Sequence, residues 1–441
     1  MVLSKFNFSV PREDDLLVFN SLKNTLSVFP KEMLADFEDN ENVESIEFLT
    51  ERGILVDDDF DEDKAALIKY YSVIDDGTLE LILLPSMNCN FRCPYCYEKK
   101  TPDKMSPEVI KSILLFTKRN ITQARSLHVS WFGGEPLLCM DIIEEVNSKL
   151  MDLARAYRKS FTSNMTTNGY TLNLETFRHL TNDLHITHYQ ITIDGRAQYH
   201  DKTRPLAGGG PTHDRIIENL LSIKESTKSK LFTILVRTNL TKDTLLDLDN
   251  HIAELEQHFG NDKRFVFLFK EVGDWGGETV KDISNSLLGT FNEEELVSPL
   301  TKKLSSLKTT LTLSGQFPFF NGVSVCYAAK MGTYTIDPWG KVMRCTVNLD
   351  SDYNHIGVLD KKGVLVANDK ALMKWQYCGM PVKCLPEKCH NCALYANCFG
   401  IMCPVPHVCR NGKPQCETLH NDLLAMYKSN PKYFKHFKEE E

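Results

Sequence analysis

Eight consecutive residues, Cys89-Asn90-Phe91-Arg92-Cys93-Pro94-Tyr95-Cys96, put three thiols on one short loop. Three residues separate the first pair and two separate the second. Three thiolates so spaced can hold three irons of a [4Fe–4S] cube and leave the fourth iron without a protein ligand. An open iron on a low-potential cluster can bind a small molecule and pass it an electron. The other ion that suits Cys-x-x-Cys is zinc, whose closed sites take a fourth Cys or His nearby. Between Gly77 and Ser126 the sequence offers neither beyond these three cysteines.

A second set of cysteines lies near the other end. Of the chain's 14 cysteines, 10 fall between Cys326 and Cys416, so thiols are concentrated there for ligation. Cys326 and Cys345 bracket Gly340, with thirteen residues before the glycine and four after it. Cys389-x2-Cys392-x5-Cys398-x4-Cys403 follows, and Cys416 closes the set. Pairs of this kind suit iron–sulfur clusters or structural zinc ribbons.

The chain that must position these thiols has 441 residues, enough for two or three domains. A charged fraction of 25% and a hydrophobic fraction of 42% fit an ordinary globular protein. The net charge of −8 argues against nucleic acid as a partner. Met1 to Asp15 carries no apolar core of signal-peptide length, and no apolar run reaches membrane-spanning length. These features predict a cytoplasmic protein with no membrane partner. Reduced thiols there point to metal or cluster ligation in place of disulfides.

From Leu79 to about Lys270, strand-like runs (Leu79–Leu84, Leu127–Phe132, Phe161–Thr166, His188–Ile193, Phe232–Arg237 and Phe265–Phe269) alternate with helical patterns such as Pro107–Arg119 and Asp141–Tyr157. Alternation of this kind predicts α/β structure with a parallel sheet. The cysteine loop follows the first strand directly. Gly133-Gly134-Glu135-Pro136 follows the second, Thr167-Asn168-Gly169 the third, and Thr192-Ile193-Asp194-Gly195 ends the fourth. All lie where parallel strands collect chemistry, at their C-terminal ends. Cys139 is expected to be a small buried hydrophobe. Residues 1–78 read as a small separate unit. Leu16–Asn20 and Thr25–Phe29 form a hairpin, Pro30 opens a helix through Phe37, a second helix over Val43–Arg52 stops at Gly53, and the acidic run Asp57–Asp63 is a solvated face. Residues 271–316 break the alternation and read as a bridge. It has a loop around Trp275 and a helix in the Glu293–Leu307 region, interrupted at Pro299.

The three-cysteine spacing, with aromatic Tyr95 before the last Cys, resembles the signature of the radical SAM superfamily. Gly133-Gly134-Glu135 resembles that family's GGE motif. The resemblance implies a partial (β/α)6 TIM-like barrel over 79–270. In it Cys89, Cys93 and Cys96 hold the catalytic [4Fe–4S] cluster, whose open iron chelates S-adenosylmethionine (SAM). Splitting the sulfonium yields a 5′-deoxyadenosyl radical. Tyr95, Gly133, Gly134, Glu135, Asn168, Thr192 and Arg204 would then contact SAM, Glu135 at its methionine amino group and Arg204 at its carboxylate. The stretch His200–Arg204 and the glycines at 208–210 resemble the peptide-modifying branch.

The C-terminal spacing resembles the SPASM domain, here 317–441, with one residue more between Cys398 and Cys403 than that pattern has. Carried over by position, auxiliary [4Fe–4S] cluster I takes Cys326, Cys345 and Cys403, with Cys409 competing for the last place. Cluster II takes Cys389, Cys392, Cys398 and Cys416. The stretch 317–322 holds no further Cys, so cluster I keeps an open iron or recruits Cys378, Cys384 or Cys409. Residues 1–78 resemble the winged-helix unit that binds a leader peptide as an added strand.

The function implied is an oxidoreductase that takes hydrogen from an unactivated peptide C–H bond and cross-links a ribosomally made precursor. The product would be a thioether or a carbon–carbon link. A low-potential donor such as flavodoxin or ferredoxin would supply electrons. The alternative is a sulfatase-type maturase that makes formylglycine, but that family has an Asp as proton acceptor where this chain has Thr346. A molybdenum-cofactor type enzyme would end in Gly-Gly, whereas this chain ends in Glu439 to Glu441. The alternative of another class is a non-catalytic, metal-stabilised peptide-binding scaffold, which has no use for the GGE stretch.

Overall fold

The computed structural model describes residues 1–34, 43–227, 230–273, 279–288, 309–313, 320, 325–347, 349–376, 387–401, 403–405, 423–424, 426–428 and 431–437. Near the N-terminus, β1 (Val2–Leu3), β2 (Asn7–Arg12), β3 (Asp15–Asn20), β4 (Thr25–Pro30) and β5 (Leu55–Val56) come first. β2, β3 and β4 form an antiparallel meander, and β1 pairs with β5. The expected hairpin is β3–β4. β2 was not expected, because Pro11 interrupts its pattern, but an edge strand tolerates a proline. Pro30 closes β4, Met33 and Leu34 that follow are helical, and the rest of the helix expected through Phe37 lies outside the described residues. A helix over Val43–Glu51 stops at Gly53, whose φ of 74° is the left-handed cap conformation.

The acidic run is a solvated face as expected, with Asp57, Asp58, Asp59, Asp61 and Asp63 exposed, and it also starts a helix. Asp61 caps a helix over Glu62–Ile74 by accepting from the Lys64 N–H, and Glu62 and Asp63 sit in its first turn, where carboxylates complement the helix dipole.

The central sheet begins with β6 (Thr78–Leu83), β7 (Ser126–Trp131), β8 (Ser160–Thr167), β9 (Ile186–Thr192), β10 (Thr233–Leu240) and β11 (Phe265–Glu271). These six are parallel neighbours in chain order. The connecting helices form where the sequence places apolar residues at helical spacing. Over Pro107–Asn120 the buried side is Ile110, Ile113, Phe116 and Thr117, with Ser106 as N-cap and Pro107 in the first turn. Over Met140–Ala156 it is Ile142, Ile143, Val146, Asn147, Leu150 and Ala154.

The sheet does not stop at six strands. β12 (Thr312–Leu313) adds parallel to β11, and β13 (Thr333–Ile336) adds parallel to β6. β14 (Lys341–Met343), β15 (His355–Leu359) and β16 (Leu365–Ala367) continue it antiparallel, giving eleven strands. The cysteine-bearing C-terminal region is therefore stitched to the strand that launches the cysteine loop. Gly332 makes the seam possible: a Cβ there would lie 2.0 Å from the Thr78 carbonyl.

The N-terminal sheet packs against the C-terminal region. Val10, Leu17, Phe19, Leu26 and Val28 share a hydrophobic cluster with Phe320, Leu394, Leu423, Met426 and Phe434. The last strand, β17 (Lys435–His436), pairs parallel with β4. Trp275, the 293–307 helix, Cys378, Cys384, Cys409 and Cys416 lie outside the described residues.

Candidate active site

The cysteine loop leaves the C-terminal end of β6 and is pinned on two sides. At its base the Ser86 hydroxyl donates to the Asp103 carbonyl (2.7 Å) and the Met105 N–H to the Pro85 carbonyl (2.9 Å). Across from it the Arg92 N–H donates to Pro205 (2.9 Å) and the Ala207 N–H to Asn90 (2.7 Å). The three cysteines are half-buried and their thiols are free.

Gly133 and Gly134 serve this loop. Gly134 donates its N–H to the Ser86 carbonyl (3.2 Å), and a Cβ on it would lie 2.0 Å from the Asn88 carbonyl. Gly133 has φ 94°, and its Cβ would lie 2.8 Å from the Ser86 carbonyl. The close approach these glycines permit is to the cysteine loop itself. Glu135 is fully buried. Its carboxylate accepts from the Thr167 hydroxyl (2.6 Å), the Asn168 N–H (2.7 Å) and the Leu137 N–H (3.1 Å). Burial pushes this carboxyl up, against those hydrogen bonds. The Asn168 amide donates in turn to Asn90 Oδ1 in the loop (2.7 Å).

A second frame comes from β9. The Tyr95 hydroxyl donates to the Asp194 carboxylate, whose other oxygen accepts the Asn239 N–H (2.9 Å). Arg204 donates to the Tyr95 oxygen (2.7 Å), and its guanidinium lies over the Phe91 ring, 5.6 Å from the centroid. Thr192, the last residue of β9, is buried two positions before Asp194. The structure thus brings Tyr95, Gly133, Gly134, Glu135, Asn168 and Arg204 to the cysteine loop or its immediate support, while Thr192 is placed only by its position at the end of β9. It uses Glu135, Asn168 and Tyr95 to hold that loop. Sequence analysis missed Asp194 as the partner of Tyr95. It also missed Lys100, whose Nζ is 2.9 Å from Cys96 Sγ; a cation four residues after a ligand thiol was the available signal.

The donor set suits anionic sulfur. Burial pushes the Cys89 thiol up to about 12 and raises that of Cys93, so a thiolate here needs a cationic partner such as bound iron. The backbone N–H two residues on donates to sulfur at Cys89 (3.4 Å, from Phe91), Cys345 (3.3 Å, from Val347) and Cys398 (3.4 Å, from Gly400). Glu98 Oε2, Thr101 Oγ1 and Arg204 Nε are buried beside the loop without a protein partner. Among the described residues no three His, Cys, Asp or Glu side chains gather as ligands of a single metal ion.

In the C-terminal region, Cys326, Cys345 and Cys403 border the same hydrophobic cluster as Cys89 and Cys93. Cys392 and Cys398 border the N-terminal sheet's cluster instead, and Cys389 is buried beside Cys398 and Tyr395. Cys139 is fully buried against the barrel helix core, as expected.

Residues 83–252 match the Radical SAM superfamily. This stretch is a radical SAM domain. The family implies a [4Fe–4S] cluster and SAM, and the loop thiols with the unpartnered polar atoms beside them fit both. The chain is 24% identical over 269 residues to GTP 3′,8-cyclases from two strains of Clostridium perfringens, covering 58% of this chain and 77% of each relative. Among solved structures it is similar to anSMEcpe with bound AdoMet (TM-score 0.57, 16% identity, 80% of this chain and 97% of that one). It is also similar to Streptococcus suis SuiB bound to precursor peptide SuiA (TM-score 0.52, 14% identity, 95% of this chain and 99% of that one). These likenesses establish a shared fold around the radical SAM domain. No helix among the described residues is long and apolar enough to cross a membrane.

Proposed function

We propose that this protein is a radical SAM oxidoreductase that installs a thioether or carbon–carbon cross-link in a ribosomally made precursor peptide. The observation that carries the reading is the three-cysteine loop held by the C-terminal ends of β7, β8 and β9 through Glu135, Asn168 and Asp194. Support for a peptide substrate comes from SuiB, solved with a precursor peptide, and from anSMEcpe, solved with the Cp18Cys peptide.

In this reading Cys89, Cys93 and Cys96 hold the catalytic cluster, and the polar groups of Glu98, Thr101 and Arg204 face the bound cofactor. When bound, cluster and SAM supply a 5′-deoxyadenosyl radical that removes hydrogen from the substrate. The chain's part is to fix the loop, exclude water from its floor and seat the peptide. Cys326, Cys345 and Cys403 hold one auxiliary cluster; Cys389, Cys392, Cys398 and Cys416 hold the other. A precursor's leader would add to β2, the sheet edge left over once β17 has taken the edge of β4. Flavodoxin or ferredoxin would deliver the electron.

A formylglycine-forming reading has less support. Thr346 presents a hydroxyl where that chemistry would place a carboxylate, and this hydroxyl is 2.7 Å from the Tyr327 hydroxyl.

Anaerobically loaded protein would be incubated with SAM, reductant and the precursor encoded beside it. Loss of two hydrogens from the peptide, located by fragmentation, is the expected result. GTP and a sulfatase-type Cys peptide serve as competing substrates. Conversion of either in place of the precursor would sink the assignment, as would a Cys89→Ala variant that still made 5′-deoxyadenosine at the parent rate.

A further inference from the structure

We infer that Lys100 is a positioning residue that raises the reduction potential of the catalytic cluster through a charge-assisted N–H···S bond to Cys96. The inference rests on the proposed cluster ligation and deepens it. Lys100 Nζ lies 2.9 Å from Cys96 Sγ. Among the described residues it is the one side chain that donates to any of the three loop sulfurs. Its neighbour Lys99 carries the same charge but is exposed, while Lys100 turns inward and is half-buried.

The surroundings give that charge weight. The carboxylates of Glu135 and Asp194 are fully buried at the edge of the loop, and Glu98 has an unpartnered buried oxygen. The other cations nearby make no hydrogen bond to a loop sulfur among the described residues: Arg204 donates to Tyr95 and lies over Phe91, and Arg92 Nη1 donates to the carbonyls of Cys89 (2.7 Å) and Phe91 (2.8 Å). Reducing a cluster adds negative charge, and in a half-buried site an adjacent ammonium stabilises the reduced form more than it would in water. Hydrogen bonds to sulfur and net local charge are the levers that set such potentials. A thiolate bound to one iron keeps a lone pair, so the bond is compatible with ligation. The side chain acts through sulfur and need not touch substrate.

The test is a redox titration of the SAM-responsive EPR signal in the parent, Lys100→Met, Lys100→Arg and Lys99→Met proteins. Lys100→Met should shift the electron-transfer equilibrium about tenfold toward the oxidised cluster, ~59 mV more negative for a one-electron couple. Lys100→Arg should stay near the parent value and Lys99→Met should match it. A Lys100→Met midpoint equal to that of the parent, in protein that still takes up iron and cleaves SAM, overturns the inference and leaves the proposed function standing. A parent protein without a SAM-responsive cluster overturns the function itself. Should Lys100→Met take up no cluster, parent protein grown on 15N-lysine decides the matter. Pulsed EPR of its reduced cluster before SAM addition should show a 15N coupling that Lys100→Arg alters, and its absence rejects the bond.

Discussion

The Glu135 carboxylate accepts the backbone N–H of Asn168 at 2.7 Å, a bond that ties the end of β7 to the end of β8 beneath the cysteine loop. With the Asn168 amide bonded to Asn90 at 2.7 Å, strand end, strand end and loop become one rigid unit. A site that must hold a cluster and a small molecule in fixed relation needs such a floor.

Removing that carboxylate should therefore be costly. Glu135→Ala would leave the Thr167 hydroxyl and the Asn168 and Leu137 N–H groups buried and unpaired, at about 1–3 kcal/mol each. The expected outcome is a lower thermal midpoint together with reduced iron content. A Glu135→Ala protein as stable as the parent would mean the floor is held by something else.

Gly134→Ala tests the seam between the GGE turn and the loop. Its Cβ would sit 2.0 Å from the Asn88 carbonyl, so the loop backbone must move. Overpacking of this kind costs about 1–3 kcal/mol. Iron and sulfide analysis after anaerobic loading should show the catalytic cluster lost with auxiliary iron retained. Full loading with normal SAM cleavage would contradict the geometry.

Tyr95→Phe removes one hydroxyl from between Asp194 and Arg204. Hydrogen bonds to charged groups contribute about 1.5–3 kcal/mol each, and both partners here are buried. Unfolding measurements should show destabilisation of that order while the cluster still loads, since Tyr95 touches no sulfur by hydrogen bond. Unchanged stability would rule out the frame described here.

Stability should also fall on mild acidification. His200 and His251 are buried, and burial holds both imidazoles below their ordinary value, with Arg204 adding to the effect at His200. In the unfolded chain each titrates near ~6.5. The unfolded state therefore binds more protons below that pH, so this contribution is full above ~6.5 and is lost as pH falls. Thermal midpoints should drop between about pH 7 and about pH 5, ahead of the acid range where carboxylates protonate, and His251→Asn should flatten the slope. A slope left unchanged by His251→Asn would show that this imidazole is not held neutral by the fold.

The chemistry's raw materials and their order are legible along the chain: three thiols after one strand, Gly-Gly-Glu after the next, and alternating strands and helices whose limits fall within a few residues of those observed. These features are local, set by spacing and periodicity along the chain. What the motif residues touch is set by long-range packing. Glu135 faces Asn168, Tyr95 faces Asp194, β13 lies beside β6, and the N-terminal sheet shares a core with Met426 and Phe434 and pairs with β17; each pairing joins positions tens to hundreds of residues apart. The physical reason is that a carboxylate's or a strand edge's partner is chosen by whichever packing leaves fewest buried polar groups unpaired, and that is a property of the whole assembled fold.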